Sequence, residues 1–121
     1  MTKQELLELA ALYREISRQE KKLGKLEKSR FSESADQTAV NQRRQEIERL
    51  REKMGQNVLR FQQESARLRQ YADGCTDRLM RQILILRYAD GCSWEQVAAG
   101  IGGDNTPEGI RMIHNRYLAS Q

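Results

Sequence analysis

The sequence is short of the residues that build disulfide frameworks, mixed aromatic cores and membrane spans. Of its 121 residues, one is proline, two are cysteine and 6% are aromatic. Its longest run of Leu, Ile, Val, Met or Phe, residues 83–86, has four residues, whereas about 20 apolar residues are needed to cross a bilayer. Cys75 and Cys92 match no zinc spacing and are too few for a disulfide framework, so we expect free thiols in a reducing cytoplasm. These shortages argue against a transmembrane protein, a secreted mini-protein and a cysteine-rich metal domain.

The residue patterns of an active site are also missing. His114 is the only histidine, and its place near the core side of a helix predicts a packed or hydrogen-bonded side chain rather than a ligand or base. The sequence has no phosphate-binding glycine loop, metal-ligand cluster or nucleophile paired with histidine. Residues 100–103 are rich in glycine but lack the preceding strand that a phosphate loop requires. We therefore expect no enzyme activity, no catalytic residue, no cofactor and no metal.

What is present favours long helices, so the sequence predicts an all-α fold. The first 73 residues carry two heptad-like apolar stripes separated by a serine-containing segment, residues 29–37, which predicts a loop. Gly55 interrupts the second stripe and marks a candidate break. Because each stripe must be buried, we expect residues 1–73 to form a coiled-coil-like helical hairpin that also pairs subunits as a homodimer. The stripes are Leu9, Leu12, Ile16, Leu23 and Leu26, then Val40, Ile47, Leu50, Met54, Phe61, Leu68 and Tyr71.

A pentapeptide, Tyr-Ala-Asp-Gly-Cys, occurs at residues 71–75 and again at residues 88–92. Two copies are too few for a repeat fold, so we interpret them as two helix ends with similar stop chemistry. Gly74 and Gly91 are predicted to supply the left-handed residue of each turn.

Residues 74–121 predict three helices with strong start signals. The first runs through residue 88, the second follows residue 93 as a short helix, and the third covers residues 106–120. Glycines and polar residues separate the second from the third. This order of scaffold helix, short helix, turn and capped helix is typical of a helix-turn-helix. The start signals are Thr76 or Asp77, the capping-box pair Ser93 and Gln96, and Thr106 with Pro107 at the first helical position.

The positive charge does not lie where this predicted DNA-reading unit lies. Residues 1–73 hold 16 Lys and Arg against 12 Asp and Glu, whereas residues 74–121 hold five of each. A basic cluster between residues 21 and 30 is interspersed with acidic residues, which favours a solvated helix face over a DNA contact. We therefore expect the helix-turn-helix alone to bind DNA with modest affinity, because it neutralises few phosphates.

Residues 86–98 and 106–113 resemble region 4 of bacterial sigma factors, in which an arginine-aromatic helix end precedes a short capped helix and a reading helix. Residues 71–118 resemble small phage and prophage proteins described as sigma region 4-like transcriptional regulators, over about 40% of the chain. The resemblance implies that these residues form the family's helix-turn-helix and read duplex DNA. It rests on Tyr71, Asp77, Arg81, Gln82, Ile83, Leu86, Arg87, Tyr88, Ser93, Trp94, Asn105, Thr106, Arg111, His114, Asn115, Arg116, Tyr117 and Leu118.

Two departures from sigma factors concern the reading helix. The turn at residues 102–105 is about two residues longer than theirs. Pro107 and Gly109 stand where the family usually carries arginines. We therefore expect an operator different from the usual sigma-factor promoter element.

Helical spacing assigns the faces of residues 106–120. Ile110, Ile113 and Tyr117 share one side and are predicted to be core. On the outer side, arginine can read guanine, asparagine adenine and glutamate cytosine, while the helix N-terminus can hold a phosphate. Trp94 is predicted to be a core anchor rather than a stacking platform. The predicted DNA-binding residues are Thr106, Pro107, Glu108, Arg111, Met112, Asn115 and Arg116.

The sequence therefore predicts two parts, a hairpin over residues 1–73 and a DNA-binding domain over residues 74–121. Its predicted function is sequence-specific binding of double-stranded DNA as a phage or prophage transcriptional regulator. Two alternatives stay open: a small DNA-packaging subunit of the terminase type, and an RNA polymerase-binding protein that makes no DNA contact. RNA polymerase is thus a second candidate partner, and no membrane association is expected.

Overall fold

The computed structural model describes residues 1–29 and 36–121, which contain helices and no strand. The helices are α1, Lys3–Ser29; α2, Gln37–Asp73; α3, Arg78–Leu84; a π-helical segment, Ile85–Ala89; α4, Trp94–Ile101; and α5, Pro107–Ala119. The prediction of an all-α chain with a long helical N-terminal region is confirmed. Most of the predicted loop at residues 29–37 lies outside the described residues.

Contacts divide the chain into two compact units. The hairpin unit is Leu12–Phe61, and the larger unit combines Met1–Ala11 with Gln62–Gln121. This division reflects only the contacts within each unit. It does not test the functional division at residue 73, which stays a prediction.

The hairpin unit pairs the main part of α1 with the first two thirds of α2. The rings of Tyr13 and Phe61 lie 5.6 Å apart between centroids, Asn57 donates from Nδ2 to Oε1 of Gln19 at 3.1 Å, and Arg51 forms an ion pair with Glu27. Since the partner's number falls as the number along α1 rises, the two helices run antiparallel.

Gly55 does not break α2, so the predicted interruption is wrong. The helix continues from residue 37 to residue 73. Nothing lies within 4 Å of the position that a Cβ on Gly55 would occupy, so this glycine faces open space. The roughly 1 kcal/mol that glycine costs in a helix is offset here by contacts of α2 on both sides of it.

The larger unit begins with a capped turn of α1. The amide of Glu5 donates to the Thr2 hydroxyl at 3.1 Å, and the Glu5 carboxylate accepts from the Thr2 amide at 3.3 Å. Hydrogen bonding to the Thr2 backbone, with the guanidinium of Arg67 2.9 Å away, lowers the pKa of Glu5. This ion pair joins α1 to the last third of α2, and both helices contribute to the core of the larger unit.

That core holds thirteen of the fourteen buried hydrophobic residues in the described ranges. Its members come from the start of α1, the end of α2 and each of the C-terminal helices. Burial of this apolar area is the main source of the unit's stability. The thirteen are Leu6, Leu9, Leu68, Ala72, Met80, Ile83, Leu84, Tyr88, Ala89, Val97, Ala98, Ile110 and Leu118.

The two pentapeptide copies end their helices differently. Gly91 has φ 68°, as predicted for a left-handed residue. Gly74 is not among the described glycines with positive φ, so the same prediction is wrong there. At Gly74 the chain leaves α2 through tight turns, in which the amides of Gly74 and Cys75 donate to the carbonyls of Tyr71 and Ala72 at 3.1 and 3.0 Å. A turn of this kind needs no left-handed residue.

Candidate nucleic-acid interface

The scaffold for α4 and α5 is α3 with the π segment. The carboxylate of Asp77 accepts from the amide of Met80 at 3.2 Å and caps α3, which settles the choice between Asp77 and Thr76. From Ile85 the backbone widens, and the amide of Asp90 donates to the carbonyl of Ile85 at 3.0 Å, five residues back. The sequence pattern predicted a helix to Tyr88 without this change of register.

The capping box predicted for α4 is confirmed. The Ser93 amide donates to the Gln96 side chain at 2.9 Å, and the Gln96 amide donates to the Ser93 hydroxyl at 3.2 Å. The helix ends at Ile101, and Gly102 and Gly103 then take φ values of 79° and 67°, which turn the chain toward α5. Gly100, predicted to help end the helix, is its penultimate residue instead. A Cβ at Gly100 would lie 3.2 Å from a methyl of Leu86, so glycine permits a close approach there.

The start of α5 also follows the prediction. Asn105 donates from Nδ2 to the carbonyl of Gly102 at 2.8 Å and closes the turn. Thr106 caps the helix by accepting from the amide of Gly109 at 3.0 Å, and Pro107 occupies the first helical position. A Cβ on Gly109 would lie 3.1 Å from the Thr106 hydroxyl oxygen, so a larger residue would press on the cap.

One side of α5 is buried and the other is exposed. Ile110, His114 and Leu118 are buried, and Ile113 and Tyr117 are half-buried. The opposite side includes Met112, whose side chain is 51% exposed. All seven predicted DNA-binding residues are exposed, and the structure places them together on α5 or its cap: Thr106, Pro107, Glu108, Arg111, Met112, Asn115 and Arg116.

The two N-terminal turns of α4 and α5 border a shallow groove of about 450 Å³. Arg111, one of its lining residues, forms an ion pair with Glu108 at 3.0 Å. The groove also contains Glu95, so its ionisable groups are one cation and two anions. Arg116 lies outside the groove and forms no ion pair with any residue in 1–29 or 36–121. The groove alone is therefore not an anion site, because its one cation, Arg111, already has an acidic partner and a second carboxylate lies nearby.

Asn115 differs from its exposed neighbours because a buried residue holds its side chain. Its Oδ1 lies 3.1 Å from Nδ1 of His114, and Nε2 of His114 lies 2.6 Å from the Tyr88 hydroxyl. Burial lowers the pKa of His114, and it raises the pKa of Tyr88. Both rings are therefore neutral near pH 7. The predicted hydrogen-bonded role for His114 is confirmed.

Trp94 joins α4 to this buried ring pair. Its ring meets His114 edge-on, with centroids 4.7 Å apart. The guanidinium of Arg87 lies 4.4 Å above the Trp94 ring and donates to the carbonyl of Cys92 at 2.9 Å. Trp94 is half-buried and serves as a packing residue between the π segment, α4 and α5, where the sequence predicted a core anchor.

The sequence-based predictions missed the role of Tyr88 as the hydroxyl partner of His114. The two residues are 26 positions apart, and neither belongs to a local motif that specifies the contact. A buried tyrosine does require a hydrogen-bond partner, and the chain offers a single histidine. That combination is the signal from which the contact can be inferred.

A second polar cluster lies at the other end of α5. The hydroxyls of Tyr71 and Tyr117 are hydrogen-bonded to each other, and the sulfur of Cys75 lies 4.0 Å from the Tyr117 oxygen. Burial, together with the hydrogen bond to Tyr71, raises the pKa of Tyr117 well above its usual range. Tyr117 therefore keeps its proton at neutral pH, and the cluster fixes the end of α5 to the end of α2.

Neither a metal site nor a membrane span is found in the part of the chain that the structure describes. No group of three or more potential ligands lies close enough together to hold a metal there. None of those helices combines the length and apolar character needed to cross a bilayer.

Comparisons with known proteins found no match to a family model, a curated protein or a solved structure.

Proposed function

We propose that the chain is a sequence-specific double-stranded DNA-binding protein and acts as a transcriptional regulator of the phage or prophage type. In this proposal α4 and α5 form a helix-turn-helix of the sigma region 4 type. Helix α5 enters the major groove, and α4 braces it across the DNA backbone.

The observation that carries the proposal is the exposed side of α5. A helix that follows a capped turn presents an arginine, an asparagine and a half-exposed methionine side by side, while its opposite side is buried. Arginine and asparagine have the donors that read base edges, and an apolar side chain can contact the thymine methyl group. Glu108, Arg111, Met112 and Asn115 would face the bases, while Thr106, Pro107 and Arg116 would lie toward the phosphates.

A second candidate function is binding to RNA polymerase without DNA contact. It is favoured by the even balance of acidic and basic residues in 74–121 and by the Glu108 partner of Arg111. Few phosphates can be neutralised by such a surface. The DNA-binding proposal therefore includes a homodimer through the N-terminal helices, or assistance from polymerase, to raise the affinity.

The test is selection of bound sequences from a random duplex library at physiological salt. Wild type should enrich a motif, and Arg111→Ala should lose the preference for guanine at one position, by roughly 5- to 100-fold for a bidentate contact. Arg18→Ala is the matched control, because Arg18 forms the same exposed ion pair with a glutamate three residues away, in the hairpin unit. It should keep the motif.

Enrichment of no motif by wild type would contradict the DNA-binding proposal. Salt-insensitive affinity for RNA polymerase in the same preparation would then favour the second candidate.

A further inference from the structure

The oxygen and the nitrogen of the Asn115 amide differ in their hydrogen-bond partners. The oxygen Oδ1 is directed to Nδ1 of His114, at 3.1 Å. The nitrogen Nδ2 makes no hydrogen bond with any residue in 1–29 or 36–121, and Asn115 itself is exposed. The donor end of the amide is therefore the end left for a ligand.

The polarity of this contact is determined by the chemistry of the groups. A carboxamide oxygen can only accept, so Nδ1 of His114 must carry a hydrogen. In a neutral imidazole the other nitrogen is then an acceptor, so the Tyr88 hydroxyl donates to Nε2. The result is a directed chain from the Tyr88 hydroxyl through the His114 ring to the Asn115 oxygen.

The chain is held in place by buried groups. Tyr88 is 3% exposed and His114 is 5% exposed, and the ring of Trp94 packs against His114. Reversing the Asn115 amide would place its NH₂ group against the hydrogen on Nδ1. Turning the His114 ring to the other tautomer would in turn reverse the hydrogen bond to Tyr88. The opposite arrangement therefore requires all three groups to change together, so the three side chains are oriented as one unit, and the structure holds the arrangement in which Oδ1 of Asn115 faces His114.

We propose that Tyr88 and His114 orient Asn115 so that it offers only its NH₂ group to DNA, and that Asn115 reads guanine. In the major groove guanine presents two adjacent acceptors, N7 and O6, whereas adenine presents an acceptor beside a donor. The familiar pairing of asparagine with adenine needs the amide oxygen as well as the nitrogen, and here that oxygen is directed toward Nδ1 of His114, which uses one of its two lone pairs. Cytosine, which presents a donor, is disfavoured most.

This inference rests on the proposed DNA-binding function, and it assigns Asn115 as a base-reading residue and His114 as its positioning residue. The sequence pattern alone predicts adenine opposite Asn115, so the two readings differ in the base that is enriched. A matched asparagine elsewhere in the chain is Asn41, which is exposed on α2 and accepts from the Gln37 side chain at 3.1 Å.

The first measurement needs no DNA. The chain has one histidine, so its long-range proton–nitrogen NMR spectrum contains a single imidazole. At pH 7.5 it should show the hydrogen on Nδ1 of a neutral ring. A hydrogen on Nε2 instead would overturn the inference and leave the DNA-binding proposal standing.

The second measurement is the random-library selection with wild type, Asn115→Ala, Asn115→Asp and Asn41→Ala. Wild type and Asn41→Ala should share a motif with guanine at one position that Asn115→Ala no longer distinguishes, a loss of roughly tenfold. Asn115→Asp replaces the donor with an acceptor, and it should shift that position toward cytosine, whose N4 donates. Adenine at that position in the wild-type motif, or an unchanged motif for Asn115→Ala, would overturn the inference alone. Absence of any motif would overturn the proposed function and this inference together.

Discussion

The two units of the chain divide burial and charge between them. The larger unit holds thirteen of the fourteen buried hydrophobic residues, and the hairpin unit holds one, Ile47. By sequence the hairpin unit has 13 Lys and Arg against 8 Asp and Glu, whereas the larger unit has 8 against 9. The side chains proposed to read DNA thus belong to the well-packed unit, and the excess of positive charge belongs to the other.

This contrast accounts for the modest DNA affinity that is expected of the packed unit by itself. Reading a base needs side chains held in place, which burial around α5 can provide. Attraction to a polyanion needs net positive charge, which the packed unit does not have. The hairpin unit is joined by a tyrosine–phenylalanine ring contact, the amide pair of Gln19 and Asn57, and an ion pair. These contacts specify which residues of α1 and α2 lie opposite each other, and they contribute less stability than the buried core of the larger unit does.

The largest expected effect concerns burial. Leu84 is completely buried in the larger unit, and Leu50 is half-buried in the hairpin unit. Leu84→Ala should lower the free energy of unfolding by about 2–5 kcal/mol. Leu50→Ala should lower it by about 1 kcal/mol, because folding removes less apolar surface from water at this half-buried position. Trp94, the single tryptophan, reports on the larger unit when its fluorescence is followed in urea. A Leu50→Ala variant that shifts this transition as far as Leu84→Ala would remove the contrast.

A second, smaller effect concerns the pH dependence of stability in the larger unit. Burial lowers the pKa of His114 in the folded protein below its ordinary 6.5. Below that pH the unfolded chain takes up a proton that the folded chain resists, so stability is complete above about pH 6.5 and falls as the pH is lowered toward the folded pKa. The decline should reach at most about 1.4 kcal/mol per pH unit.

The measurement is urea unfolding between pH 7.5 and 5.5 with wild type and His114→Gln. The variant contains no histidine, so its stability should stay nearly constant over that range. An equal decline in both proteins would assign the effect to other groups.

The smallest expected effect concerns the charge of the hairpin unit. Replacing exposed Lys21, Lys25 and Lys28 with glutamine removes three positive charges from α1. Because the proposal places the DNA contacts on α4 and α5, affinity for the selected operator should change by less than about twofold. The control is the salt dependence of binding, whose log–log slope reports about 0.9 per phosphate contact. A slope that flattens by about 2.7 in the triple variant would show instead that these lysines contact DNA.

Local features of the fold were predictable because their causes are local. The capping box at Ser93 and Gln96, the cap at Thr106 and the left-handed Gly91 each depend on residues within a few positions. The buried side of α5 follows from helical spacing in the same way. Where a nonlocal cause decides, prediction failed: contacts on both sides keep α2 continuous through Gly55. At Gly74 the cause is local but of another kind, because the chain leaves α2 through tight turns that use no left-handed residue.

The candidate site was predictable as a set of residues but not as an arrangement. Spacing placed the seven side chains on one helix, and all seven are exposed. The ion pair between Arg111 and Glu108 is a local contact across one helical turn. The link between His114 and Tyr88, and with it the orientation of the Asn115 amide, comes from three-dimensional packing. Residue type indicates what a side chain is able to read, whereas its neighbours determine which of its atoms are available.

The π segment determines the direction in which the side chains after it point from the helix axis. One additional residue in a helical turn rotates the subsequent chain by about 100° relative to an uninterrupted α-helix. Tyr88 lies within this wide turn and reaches His114 from there. Deleting one residue from 85–89 would restore regular α-helical winding at that point, and it would rotate Tyr88 away from its partner. The orientation of the Asn115 amide on α5 therefore depends on one additional residue in a helix that the proposal does not place in contact with DNA.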